Sequence, residues 1–129
     1  MYKELIISSI IVVCIFALNT LTEKYTKESL DSMKQDLSKL REEMMNKNTD
    51  KNKIDEAMQK ASDNWNERYE KLAYYIEHDE LEKVETHLTI LQSDIEVGEL
   101  EQGVGELDAC SFVLEHIKDK ESLKIKNIF

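Results

Sequence analysis

The chain has 129 residues, a formal net charge of −10, no proline, three glycines and two cysteines. Lys3 and Glu4 cancel, so the whole excess of −10 falls on residues 23–129; an acidic body of this kind repels phosphate backbones and excludes nucleic acid as a natural partner. Cys14 and Cys110 lie in different parts of the chain and give no disulfide framework, and the scarcity of loop formers calls for few, long helices.

The run Leu5–Thr22 carries no charge. Eighteen residues in a helix reach roughly 27 Å, close to the ~30 Å hydrocarbon core of a bilayer. Up to Leu18 only Ser8 and Ser9 interrupt its apolar surface, whereas a core helix of a soluble protein shows a polar face. A cleaved signal peptide needs small residues three and one before the cut. Ile15 and Ala17 fit that poorly, and Val13 before Cys14 does not suit a lipoprotein cut. The expectation is an uncleaved anchor over residues 1–22 that meets the lipid bilayer through residues 5–22. The flanking lysines Lys24, Lys27 and Lys34 argue for a body on the inside. The very short N-terminal tail argues for an extracytoplasmic body, and that is the reading taken.

Residues 23–47 follow as a membrane-proximal helix. Leu30, Met33, Leu37, Leu40 and Met44 recur at spacings of three and four, a heptad stripe of about two heptads. It suits either a stalk pairing with a second copy or a partner, or a helix packed on its own domain. The apolar-free stretch Asn46–Lys53 reads as a loop and a hinge, with Asp50 or Asn52 capping what comes next.

Residues 48–129 then form a bundle. A helix over about Ile54–Ile76 presents Ile54, Ala57 or Met58, Ala61, Trp65, Tyr69, Leu72 and Ile76 on one face. The stripe slips at Glu77–Glu80, which predicts a new helix capped by Asp79 with Glu82, carrying Leu81, Val84, Leu88, Leu91 and Ile95 and closed by Gly98. A last helix over Glu99–Lys118 buries Leu100, Val104, Leu107, Cys110, Leu114 and Ile117. Gly103 and Gly105 there mark either close approach of another helix or fraying. From Leu123 the pattern alternates apolar and polar, which predicts a short extended tail docked on the bundle or on a partner. The fold class expected is all-α: an N-terminal transmembrane helix, then an antiparallel bundle of three to four helices with that tail.

No catalytic motif emerges. The residues three before His78, His87 and His116 are Tyr75, Val84 and Val113, so the Glu-x-x-His pattern of di-metal bundles is missing. There is no His-Glu-x-x-His, no paired Cys-x-x-Cys, no calcium loop, no phosphate loop and no nucleophile elbow. Cys110 falls on an apolar stripe, where a thiol acts as a small hydrophobe. The expectation is a protein that is not an enzyme and needs no cofactor. Its contact residues would be Trp65, Tyr69, Tyr74, Glu77, His78, His116, Ile128 and Phe129, because Trp and Tyr dominate interface hot spots and a tail ending in Ile-Phe should dock somewhere. Lys118, Lys120, Lys124 and Lys126 make a basic end on the acidic body, serving the helix C-terminus, the acidic body or a membrane surface.

The apolar N-terminal run, the lone Trp65, Glu-His-Asp-Glu-Leu at 77–81, Leu-Glu-His-Ile at 114–117 and the closing Leu-Lys-Ile-Lys-Asn-Ile-Phe together resemble an uncharacterised domain-of-unknown-function family of small membrane-anchored helical proteins of spore-forming Firmicutes. The resemblance spans nearly the whole chain. It implies a single anchor and a helical body, and it implies no activity. The function expected is a noncatalytic, membrane-anchored interaction or scaffolding protein of the cell envelope, whose partner is another membrane or envelope protein or a second copy. The alternative is a ligand- or metal-sensing module built on His78, His116 and neighbouring carboxylates.

Overall fold

The computed structural model describes residues 1–128, with side chains for all of these except residues 125, 127 and 128. Four helices follow one another: α1 (Tyr2–Met45), α2 (Lys51–Leu72), α3 (His78–Val97) and α4 (Leu100–Ile128). α1 is one unbroken helix of 44 residues, about 66 Å long at 1.5 Å per residue. In its first half every residue from 1 to 20 is exposed, and none of the apolar window is buried.

The second half of α1 is a wall of the bundle. Residues 23–47, expected as a membrane-proximal element ahead of the bundle, pack against both α2 and α4. The heptad stripe Leu30, Met33, Leu37, Leu40 and Met44 is buried there, so within one chain it faces its own domain. α4 also packs closely on α3, and α2 meets α3 more lightly, while among the described residues α1 and α3, and α2 and α4, do not meet. The order around the bundle is therefore α2, α1, α4, α3. Between the helices lie Ile54, Met58, Ala61, Trp65, Leu72, Leu81, Val84, Leu88, Leu91, Ile95, Leu107, Cys110, Leu114 and Ile117, all buried. The predicted stripes and this core coincide, because one apolar face per helix is what a bundle must cover.

The connections are short. Asp50 caps α2, its carboxylate accepting from the Lys53 N–H at 3.1 Å. α2 stops at Leu72, four residues before the predicted end, and a turn follows; Ile76 remains buried, its N–H bonded to the Leu72 carbonyl at 2.9 Å. α3 begins at His78, so Asp79 lies inside it. The N-cap residue is Glu77, which makes no side-chain cap. Its carboxylate instead accepts from Lys120 Nζ at 3.2 Å. Gly98, at φ +81°, closes α3 in the left-handed region, and the Glu99 N–H reaches back to the Asp94 carbonyl at 2.8 Å. Gly103 marks a close approach: a Cβ there would stand 2.9 Å from Met44 Cε. Gly105 faces open space.

The predicted extended tail is helical. α4 continues through residues 123–128 without a break. Alternation over so few residues has no sheet edge to join, and no Gly or Pro after Gly105 stops the helix.

Candidate functional site

Three cross-links fix α1 against α4 in one antiparallel register: Lys118 Nζ to Asp31 Oδ1 at 2.8 Å, Lys34 to Glu115, and Arg41 Nε to Asp108 Oδ1 at 2.8 Å. The hydrogen bonds to Lys118, Lys120 and Lys34 hold the Asp31, Glu77 and Glu115 carboxyls below their ordinary range. The same bonds to Asp31 and Glu77 push the Lys118 and Lys120 ammonium groups up. Continued at this register, the end of α4 runs back alongside the base of the apolar run. A cavity of about 510 Å³ opens there between α1, the α2–α3 turn and α4; its charged lining residues are Glu23, Lys27, Lys118, Glu121 and Lys124, and Tyr74 and Tyr75 of the turn face it too.

The residues singled out from sequence divide between this end and the core. Tyr74 is 83% exposed, and its ring centroid lies 6.4 Å from that of half-exposed Tyr75. Glu77 is exposed beside them, bonded to Lys120. Trp65 does not offer a contact face: it is 2% exposed, a core anchor edge-on to the half-buried Tyr69 at 5.9 Å. Bulk and apolar area drive it inward on the α2 stripe. His78 and His116 are both exposed. Among the described residues, no group of three or more His, Cys, Asp or Glu converges on a point that would hold a metal ion. The side chain of Ile128 and the whole of Phe129 lie outside the described residues.

Three features were missed from sequence. His87 Nδ1 lies 2.8 Å from Glu106 Oε2, joining α3 to α4 across 19 positions of sequence. Phe112 is 75% exposed on α4; its place off the Leu107, Cys110, Leu114, Ile117 stripe was the available signal. The third is a polar ladder in the α1–α2 seam. Asn64 Nδ2 donates to Ser32 Oγ at 3.0 Å and to buried Asp36 Oδ2 at 2.8 Å. Asn64 Oδ1 accepts from Arg68 Nε at 2.6 Å, and Arg68 Nη1 donates to buried Ser29 Oγ at 2.9 Å. In sequence each of these polar residues reads as solvated face.

Cys110 is buried, 3.9 Å from the Val84 carbonyl, and burial pushes its thiol up to about 12. A thiol held protonated in this way is a poor nucleophile.

These features define a class: a four-helix bundle continuous with an exposed apolar N-terminal helix of the kind a signal anchor or signal sequence provides. The chain belongs to the family described as Domain of unknown function (DUF4363), which it matches over residues 20–128. The match thus takes in the bundle and begins at residue 20, near the end of the apolar run. No curated protein and no solved structure matches the chain.

Proposed function

We propose that this protein is a noncatalytic, single-pass membrane protein of the cell envelope that holds an interaction or scaffolding bundle against the bilayer on the extracytoplasmic side. The observation that carries the reading is the continuity of α1. The apolar run enters the bundle wall with no linker, and the wall is tied to α4 by Lys118–Asp31, Lys34–Glu115 and Arg41–Asp108. A helix shared between span and core passes the position of the bilayer rigidly to the bundle, which suits a protein that presents a surface at a set height. A flexible tether would suit an enzyme that searches for substrate. The exposed Phe112 on the outer side of α4 is the contact point this reading favours for a protein partner, since a large exposed aromatic is a common interface anchor.

The test is site-specific photocrosslinking in intact cells, with a photoreactive phenylalanine at Phe112 and, as control, at Gln59 on α2. An adduct with one membrane or envelope protein at Phe112 and not at Gln59 is the expected result. Recovery of only the uncrosslinked chain from both positions would refute the interaction role. Finding the intact chain in the soluble fraction would refute the anchor.

A further inference from the structure

The end of the bundle nearest the apolar run differs from the rest of the body. A bilayer of ~30 Å core and ~40–45 Å overall leaves roughly 5–7 Å of headgroup region on each side. At 1.5 Å per residue, that is about three to five residues of helix beyond Thr22. The layer therefore spans the level of Tyr25 and Lys27. The register set by Lys118–Asp31 and Lys34–Glu115 brings Lys124 of α4 to this level, and the shared cavity places Tyr74 and Tyr75 of the α2–α3 turn there too. Three separate elements thus end together at the height of the lipid phosphates.

Their chemistry fits that height. Tyr and Trp collect at membrane interfaces because the ring is apolar and the tip polar. Lys spreads its stem over apolar surface and keeps its ammonium at the phosphates. Tyr74 is exposed and lines the cavity with Lys27 and Lys124, the Lys124 ammonium lying 3.3 Å from Glu121 Oε1; Leu123 and Lys126 on the same stretch of α4 are exposed as well. From Glu121 to residue 128 the only charges are Glu121, Lys124 and Lys126, so the tip of α4 is positive on a body whose total is −10. An acidic body that must lie close to an anionic surface needs its near end to be the basic one.

We propose that this end of the bundle rests in the headgroup layer of the bilayer that α1 crosses, with the Tyr74–Tyr75 turn and the tip of α4 against phospholipid phosphates. The proposal rests on the membrane-spanning reading of residues 5–22, and its test separates the two.

The full chain is reconstituted into vesicles of phosphatidylcholine and phosphatidylglycerol, and Trp emission is read with and without two quenchers. One is a lipid carrying a nitroxide on its headgroup, the other a lipid brominated on its acyl chain. Buried Trp65 of the parent chain gives the baseline. The variants are Tyr74→Trp at the proposed interface, Ile11→Trp in the span and Met45→Trp at the far end of α1. The headgroup nitroxide should quench the added emission of Tyr74→Trp, as for an interfacial ring, and leave Met45→Trp unchanged. Quenching of Ile11→Trp by brominated lipid with Tyr74→Trp as unquenched as Met45→Trp would overturn the docking and leave the anchor standing. An unquenched Ile11→Trp would overturn both. Reversing Lys124 and Lys126 to Glu in the Tyr74→Trp chain should bring its quenching toward the Met45→Trp level in vesicles rich in phosphatidylglycerol. An unchanged signal would overturn the part given to the lysines.

Discussion

Asn64 is the sharpest place to test the packing described above. Its amide bridges three partners at once: Ser32, Asp36 and Arg68. Substitution by Ala removes both donors and the acceptor. Asp36, with a side chain only 8% exposed, keeps Lys60 at 3.8 Å and loses its hydrogen bond. Arg68 loses the acceptor for its Nε and keeps Ser29. Stranding a buried polar group costs about 1–3 kcal/mol, and more when the group is charged. Exchanging Asn for Ala inside a helix returns roughly half a kcal/mol of propensity. The net expectation for Asn64→Ala is a loss of about 2–3 kcal/mol, a large part of the ~5–15 kcal/mol that a domain has in total. Urea unfolding of the full chain in detergent micelles, followed by helical circular dichroism and Trp65 emission, measures it. Gln59→Ala is the matched control, because Gln59 also bonds a carboxylate, Asp63 at 2.8 Å, but on the exposed face of the same helix. That change should cost under ~0.5 kcal/mol. Equal costs for Asn64→Ala and Gln59→Ala would refute the claim that the seam is a buried, cooperating network.

The glycines should respond with different signs. Gly98→Ala forces a Cβ into φ +81° and should cost about 1 kcal/mol, while Gly105→Ala, with open space around it, should gain up to ~1 kcal/mol in the same urea assay. Cys110, with its thiol pushed up to about 12, should resist alkylation at pH 8 in a Cys14→Ser chain and react only once urea unfolds the bundle; rapid labelling of the folded chain would contradict its burial. Asp31, Glu77 and Glu115 all sit below their ordinary values in the fold. Their contribution is present at neutral pH and is lost as pH falls below the ordinary carboxylate values of about 4. Melting temperature should therefore drop on acidification. Lys118→Met should lower it at pH 7 and flatten the acid slope, as thermal unfolding at stepped pH would show.

Much of this protein was legible because helices announce themselves through periodicity. Leu81, Val84, Leu88, Leu91 and Ile95 fall on a single stripe, and so do Leu107, Cys110, Leu114 and Ile117. Any compact arrangement of such helices must bury those faces. The Asp50 cap and the Gly98 stop are local as well, since each depends on two or three neighbouring residues. The apolar run of residues 5–22 is a matter of composition and length.

The rest depends on which helices meet. The heptad stripe of Leu30–Met44 fits a second copy as well as it fits the chain's own α2 and α4, and only the folded bundle assigns it to the latter. Glu77 reads as a candidate contact residue for a partner, and only the fold brings Lys120 of the same chain within 3.2 Å of it. Leu123–Asn127 alternates like a strand, yet with no edge to join and with α1 alongside it continues as helix. Asn64 and Arg68 look like surface residues because a sequence records polarity and spacing but no partner; the α1–α2 seam supplies Ser29, Ser32 and Asp36 from 28 to 39 positions away. Local patterning determined the helices and their buried faces. Pairing across long sequence separations decided the order of the walls and the polar seam. It also set the height at which the bundle stands above the apolar run.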